Sequence, residues 1–241
     1  MENHNHFMVA LSAALAFGSL TIIFVLRWVS NYGDGLAWDG GPANFNWHPV
    51  LQLSGFVFLN GLGIIAFRLP WTHQLSKESV KLIHAALNTL AFFCAVMALK
   101  AVFGSQSGSN FPDLFSLHSW LGITVVSLFG IEIALAASIY LFPITPESWK
   151  AAFHPLHVFL GRFLFGSTIC VSLIGLTERL IFSLNDPKYS DSPPEAFFAN
   201  VMGLFLVAYG VAIFWISTNK SWKHPGPPIW HTSGLLEDKI K

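Results

Sequence analysis

Six long apolar runs constrain the fold of this chain more than any other feature. They lie near 7–29, 47–67, 81–103, 114–141, 153–182 and 196–217. Each run is long enough to cross a hydrocarbon core of about 30 Å as a helix, and a spanning helix satisfies its own backbone hydrogen bonds. The connections are too short for an extramembrane domain. The chain is therefore predicted to be an all-α membrane protein, with residues 1–241 forming one transmembrane domain.

The composition agrees with this class and excludes others. Hydrophobic residues make up 53% of the chain and charged residues only 11%. The 13 basic residues balance the 13 acidic ones, which argues against nucleic acid as a partner. The two cysteines, Cys94 and Cys170, both fall in apolar runs, so they indicate neither a disulfide framework nor a zinc site.

Basic residues predict the orientation in the bilayer. They concentrate in the second–third connection, the fourth–fifth connection and the tail: Arg68, Lys77, Lys81, Lys150, Lys220, Lys223, Lys239 and Lys241. The other three connections are mainly acidic. Because cytosolic connections are enriched in Lys and Arg, a short N-terminus and a tail of about 218–241 are both predicted to be cytosolic.

Four histidines fall at two depths of the predicted bundle. His48 and His118 begin the second and fourth helices from the outer side, whereas His84 and His157 begin the third and fifth from the inner side. At 1.5 Å per residue the two levels are roughly 20 Å apart. The spacing from outer to inner histidine is 36 residues in one helix pair and 39 in the next, which indicates a weak internal repeat.

Two imidazoles at one depth suit the two axial positions of a haem iron. Helices two to five would form a four-helix bundle around two such sites. Gly122 and Gly161 each follow a histidine by one helical turn, which leaves room for a porphyrin. Small residues also let membrane helices pack closely, and a lone histidine is often an interfacial group. The matched depths of four histidines favour the ligand role.

Seven motifs carry a resemblance to a known family. They are FNWHPV (45–50), FRLPW (67–71), LIHAALN (82–88), SLHSWLG (116–122), PLHVF (155–159), GLTERLIFSLNDPKYSDSPPE (175–195) and SWKHP (221–225). The chain resembles the cytochrome b561 family, six-helix proteins with two b-type haems that move electrons across a membrane from cytosolic ascorbate. The 175–195 stretch is most similar to the duodenal, ferric-reducing branch, and the lysosomal branch is also similar.

The resemblance implies roles for residues at both faces. His48 and His118 would hold the iron of the outer haem, and His84 and His157 that of the inner haem. The cytosolic ascorbate site would comprise four cations: Arg68, Lys77, Lys81 and Lys150. Lys150 stands where relatives often have Arg, which exchanges a bidentate contact for a point charge.

The outer connections differ from the family pattern. Phe115 replaces a tyrosine that is usual in relatives, and the third–fourth connection has no His, Lys or Arg. The acidic outer connections favour a cationic acceptor, so ferric iron is expected, with Asp113 and Asn110 as candidate contacts. Regeneration of ascorbate from monodehydroascorbate is the alternative.

The expected activity is transmembrane electron transfer from ascorbate, in the plasma membrane or an endosomal or lysosomal membrane, with a homodimer possible. Bis-histidine ligation leaves no open iron position. Two other classes stay open: a haem-bearing anchor subunit of a larger complex, and a metal or proton transporter. The buried charges Glu132 and Arg162 have similar depths on consecutive helices. They predict an interhelical ion pair, with Arg162 reaching the headgroups as the alternative.

Overall fold

The computed structural model describes residues 2–106, 112–142 and 144–222. Within these ranges, six helices are long and apolar enough to cross a membrane. They are α1 (Glu2–Asn31), α2 (Pro42–Arg68), α3 (Lys77–Gln106), α4 (Leu117–Tyr140), α5 (Glu147–Ser183) and α6 (Pro194–Thr218). The predicted all-α fold with six spans is confirmed. The largest boundary difference is at α5, which begins at Glu147 rather than near 153.

Helix α2 changes its winding along its length. A turn at Pro42–Phe45 and α-helix at Trp47–Leu51 lead into a π-helical segment, Gln52–Leu59. The helix then returns to α geometry at Asn60–Ile65 and ends in a 3₁₀ turn at Ala66–Arg68. A π-helical segment accommodates an extra residue in a helix, and such segments are frequent at functional sites.

Two serines fix the start of α4. Ser116 is the N-cap, and its side chain accepts a hydrogen bond from the Ser119 backbone N–H, while the Ser119 hydroxyl accepts one from the Ser116 backbone N–H. This capping box satisfies two backbone donors that the helix leaves free. The helix therefore begins at Leu117, and His118 lies in its first turn.

Two apolar clusters hold the helices together. The first joins α1, α2, α5 and α6 through side chains such as Trp28, Val57, Phe165 and Tyr209. The second lies at the centre of the α2–α5 bundle and consists of Phe56, Ala91, Ala95, Val125, Val126, Phe129 and Leu164. Each member of this central cluster is 7 to 11 residues from the histidine of its own helix. The central cluster therefore separates the two histidine levels with packed apolar side chains.

Candidate functional site

The four bundle histidines form two pairs. The ring centroids of His48 and His118 are 6.0 Å apart, and those of His84 and His157 are also 6.0 Å apart. With a metal–nitrogen distance of about 2 Å on each side, two imidazoles in line across one metal atom have centroids about 6 Å apart. The structure brings together the same two pairs of rings that the depths along the helices predict. We call the end with His48 and His118 the outer end and the other the inner end.

Each histidine directs Nδ1 at an oxygen on a neighbouring helix. The contacts are His48 with Ala98 O at 3.2 Å, His84 with Gly63 O at 2.7 Å, His118 with Val171 O at 3.0 Å and His157 with Glu132 Oε1 at 2.6 Å. These oxygens accept hydrogen bonds, so we assign the proton of each neutral ring to Nδ1. The lone pair of Nε2 is then free for a metal, as in most histidine metal ligands.

The Nδ1 contacts are reciprocal within two helix hairpins. In the α2–α3 hairpin, α2 supplies the oxygen for His84 and α3 supplies the oxygen for His48; α4 and α5 exchange contacts in the same way. The oxygen lies 14 residues after the histidine of its own helix in α3, α4 and α5, and 15 residues after it in α2. The π-helical segment of α2 accounts for the extra residue. The reciprocity supports the internal repeat.

Open space adjoins the histidines on the α4–α5 side. A cavity of about 380 Å³ lies at the outer pair and is lined by both histidines, Gly122 and Gly175. A Cβ added at Gly161 would meet no other atom within 4 Å, and one at Gly122 would meet only Val171, at 3.8 Å. Neutral imidazole pairs and open glycine faces fit a haem, and an apolar cavity adjoins them at the outer pair.

The α2–α3 glycines have a different role. A Cβ at Gly55 would lie 2.2 Å from the Cβ of Cys94, and one at Gly63 would lie 2.5 Å from the Asn88 amide nitrogen. These glycines let α2 and α3 approach closely. Gly55 therefore serves helix packing, and the alanines Ala91 and Ala95 are fully buried in the central cluster.

Several outer-end residues could not be identified from the sequence patterns. A Cβ at Gly175 would lie 2.5 Å from the His118 ring, so this glycine makes room for the imidazole. Arg179 lines the outer cavity, and its Cζ is 4.9 Å from the centroid of the Phe45 ring. The distribution of basic residues points to the connections and the tail, and Arg179 lies within α5 instead. Asp113 is exposed, and Asn110 lies outside the described residues.

Three lysines gather at the inner end. Lys81 Nζ donates to the Tyr140 carbonyl at 3.3 Å, and the Tyr140 hydroxyl donates to the Lys150 carbonyl at 3.2 Å. Lys150 also forms an ion pair with Glu147 at 2.7 Å, and the charges of Lys77 and Lys81 act on the same carboxylate. The Tyr140 ring lies 5.4 Å from the His157 ring. Lys81 and Lys150 therefore lie beside the inner histidine pair through Tyr140, and Lys77 lies within electrostatic reach of Glu147. We call these three residues the lysine cluster.

Arg68 lies apart from the lysine cluster. Its side chain is 8% exposed and donates to the carbonyls of Ser217 and Asn219 at the end of α6. Arg162 also donates to the Ser217 carbonyl. The two arginines thus satisfy carbonyls that a helix end leaves without intrahelical partners.

The predicted ion pair between Glu132 and Arg162 is wrong. Glu132 contacts His157, while Arg162 contacts Ser217. The physical reason is the helical phase of α5, which turns Arg162 away from His157 and toward the end of α6. Arg162 donates instead to the Ser217 carbonyl, an acceptor that the end of α6 leaves without an intrahelical partner.

The fold and the histidine pairs define a class of protein. Half-buried imidazole pairs at two levels of a six-helix membrane bundle are typical of membrane proteins that ligate haem through two histidines. Comparison with known proteins names the class more closely. The family profile for eukaryotic cytochrome b561 matches residues 47–183, which contain all four paired histidines. The chain belongs to the cytochrome b561 family, and this membership implies a b-type haem cofactor.

Three similar proteins are named as reductases. The chain is 47% identical over 225 residues to the plasma membrane ascorbate-dependent reductase CYBRD1 of Xenopus tropicalis, covering 93% of this chain and 80% of the relative. It is 45% identical to the Homo sapiens protein of the same name, covering 98% and 84%. It is 40% identical to the lysosomal membrane ascorbate-dependent ferrireductase CYB561A3 of Mus musculus, covering 93% and 91%.

Proposed function

We propose that this protein is a transmembrane oxidoreductase that takes electrons from cytosolic ascorbate and delivers them to ferric iron on the opposite side. The names of its relatives support an ascorbate-dependent reductase. The carrying observation is the presence of two imidazole pairs with 6.0 Å between centroids and with every Nδ1 directed at an oxygen. In this proposal His48 and His118 would hold one haem b, and His84 and His157 would hold a second.

The bound haems would supply reversible one-electron chemistry between Fe(III) and Fe(II). The chain's own part is to hold the four imidazoles in two pairs, each of which would ligate one iron, and to exclude water between the two levels. The central cluster excludes this water, because Phe56, Ala91 and Ala95 are at most 2% exposed. A packed apolar layer of this kind also opposes the passage of protons and ions, because a charge is costly in an apolar interior.

The lysine cluster is the proposed ascorbate site. Ascorbate is an anion at neutral pH, and three ammonium groups beside the inner pair would bind it through charge-assisted hydrogen bonds. Each ascorbate anion that gives one electron also releases one proton and becomes monodehydroascorbate, and both leave on the inner side. In this proposal Arg68 supports the structure around the ascorbate site rather than binding ascorbate, because its guanidinium donates to carbonyls at the end of α6.

Two electron acceptors are candidates at the outer end. Ferric iron gains one electron to become ferrous iron, and the exposed Asp113 is a candidate contact for it, together with Asn110. Arg179 in the outer cavity favours a second candidate, the monodehydroascorbate radical anion, which a guanidinium would attract. Reduction of that radical would regenerate ascorbate on the outer side.

The orientation and membrane complete the proposal. Both termini face the cytosol, as the distribution of Lys and Arg favours. The relatives are named for the plasma membrane and the lysosomal membrane, and either membrane fits this chain.

A visible spectrum of the purified protein, recorded before and after ascorbate, tests the proposal. We expect b-type bands that ascorbate reduces and a haemochrome count of two haems per chain. Absence of haem would overturn the proposal and favour a transporter, and haem that ascorbate does not reduce would favour an anchor subunit.

The acceptor is tested in vesicles loaded with ascorbate. We expect ferric chelates outside the vesicles to be reduced at a rate that Arg179→Gln does not lower. If Arg179→Gln slows only the reduction of monodehydroascorbate, the second candidate gains its binding residue. If wild-type protein reduces monodehydroascorbate but no ferric chelate, ferric reduction is excluded.

A further inference from the structure

Glu132 is the exception among the four Nδ1 partners. Three histidines contact backbone carbonyls, whereas His157 contacts a side-chain carboxylate. We propose that Glu132 is a positioning residue that holds His157 through a charged hydrogen bond and makes the midpoint potential of the inner haem more negative. This inference rests on the proposed function, because it requires a haem at the inner pair.

The geometry gives Glu132 one partner. Its Oε1 lies 2.6 Å from His157 Nδ1, and the residue is only 7% exposed. Within the described ranges, His157 is the only hydrogen-bonding or ion-pair partner of this carboxylate. A buried carboxylate is costly unless a positive charge or a set of donors compensates it. A neutral imidazole supplies only one donor. Most of the compensation for the carboxylate charge therefore has to come from the group that the imidazole ligates.

A haem at the inner pair would supply that compensation. Iron(III) in a porphyrin dianion carries one net positive charge, and iron(II) carries none. A carboxylate hydrogen-bonded to the axial imidazole raises the basicity of the ligand, and its charge acts through a buried region of low dielectric. Both effects stabilise the oxidised form more than the reduced form. Glu132 therefore makes the inner haem harder to reduce and a stronger donor to the outer level.

The outer pair provides an internal reference. His48 and His118 both contact backbone carbonyls, at 3.2 and 3.0 Å. Within the repeat, Glu132 corresponds to Gly63, whose carbonyl faces His84 from α2. A carboxylate thus replaces a peptide carbonyl at one of four equivalent places. The negative charge among the four Nδ1 partners therefore acts only at the inner level. It lowers the potential of the inner haem and so favours electron flow toward the outer level.

Spectroelectrochemical titration of the two haems tests this inference. Glu132→Gln keeps the size and the hydrogen-bond acceptor but removes the charge. We expect both haems to be retained and the midpoint potential of one of them to become more positive, while the other is unchanged. The low-spin ferric signal of the same haem in electron paramagnetic resonance is expected to shift as well. Glu78→Gln is the matched control, because it removes an exposed carboxylate at the inner end of α3 and is expected to shift neither potential.

The other outcomes overturn the inference. Two unchanged potentials, or equal shifts of both, would show that Glu132 does not tune the inner haem. A Glu132→Gln protein with only one haem would show that the residue maintains the site rather than its potential. If the wild-type protein itself lacked two haems, the proposed function would fail instead, so the two failures are distinguishable.

Discussion

The α2–α3 and α4–α5 hairpins perform the same task by different means. Each presents one histidine at the outer level and one at the inner level, and each supplies the Nδ1 partners of its own histidines. The α2–α3 hairpin packs tightly through Gly55 and Gly63, whereas Gly122 and Gly161 of the α4–α5 hairpin face open space. The first hairpin uses backbone carbonyls alone, and the second uses a carbonyl and the Glu132 carboxylate.

The difference indicates how one repeat serves two purposes. A tight hairpin with backbone partners fixes its imidazoles rigidly, because peptide carbonyls have no rotamers. An open hairpin leaves room for a planar group, and its side-chain partner can carry a charge. Since each histidine pair takes one ring from each hairpin, every site combines a rigid half with an open half.

The pairing across hairpins makes the largest testable prediction. His48→Ala and His118→Ala are each expected to remove the same single haem, and His84→Ala and His157→Ala the other, because one imidazole alone does not close both axial positions. Haemochrome counts on the four variants, with the spectrum of the haem that remains, measure this. If His48→Ala and His84→Ala removed the same haem, both ligands of that haem would come from one hairpin. Each site would then not combine a rigid half with an open half.

Two glycine substitutions separate packing from ligand space. Gly55→Ala is expected to lower the free energy of unfolding by about 1–3 kcal/mol, because its Cβ would lie 2.2 Å from the Cβ of Cys94. Gly161→Leu is expected to leave thermal stability of the haem-free protein nearly unchanged but to reduce haem content. Thermal unfolding in detergent and haemochrome counts provide the two measurements. Full haem content in Gly161→Leu would show that the open face is not ligand space.

Substitution of Lys81 is expected to weaken ascorbate binding, whereas substitution of Arg68 is expected to lower stability. Lys81→Gln is expected to raise the KM for ascorbate about tenfold, the loss of one charge-assisted hydrogen bond of about 1.5 kcal/mol. Arg68→Met is expected to lower the free energy of unfolding by about 1–3 kcal/mol, because it leaves the Asn219 carbonyl without its donor and the Ser217 carbonyl with Arg162 alone. Lys100→Gln, on the same helix as Lys81 but at its outer end, is the control. An unchanged KM in Lys81→Gln would remove it from the ascorbate site.

The sequence predicted the spans and the histidine pairing because both follow from one-dimensional quantities. Run length gives the spans, and residue position along a helix gives the depth of His48 or His157. Lateral contacts were harder to predict. Similar depth suggested Arg162 as the partner of Glu132, but a choice between His157 and Arg162 depends on how α4 and α5 are rotated against each other. Gly55 and Gly161 look alike in sequence, and only packing separates them.

The smallest expected effect concerns Glu132 and Arg162. In a double-mutant cycle of Glu132→Gln and Arg162→Met, we expect a coupling energy below about 0.5 kcal/mol in thermal stability, as for residues without shared partners. The reason is that the carboxylate is engaged with His157 and the guanidinium with the Ser217 carbonyl, on different helices. The same cycle with Glu132→Gln and His157→Ala provides the positive control, since these two side chains are in direct contact. A coupling of about 1 kcal/mol or more between Glu132 and Arg162 would mean that the two charges interact across the α4–α5 hairpin. The charge on Glu132 would then be partly neutralised from within the hairpin, and its influence on the inner level would be correspondingly weaker.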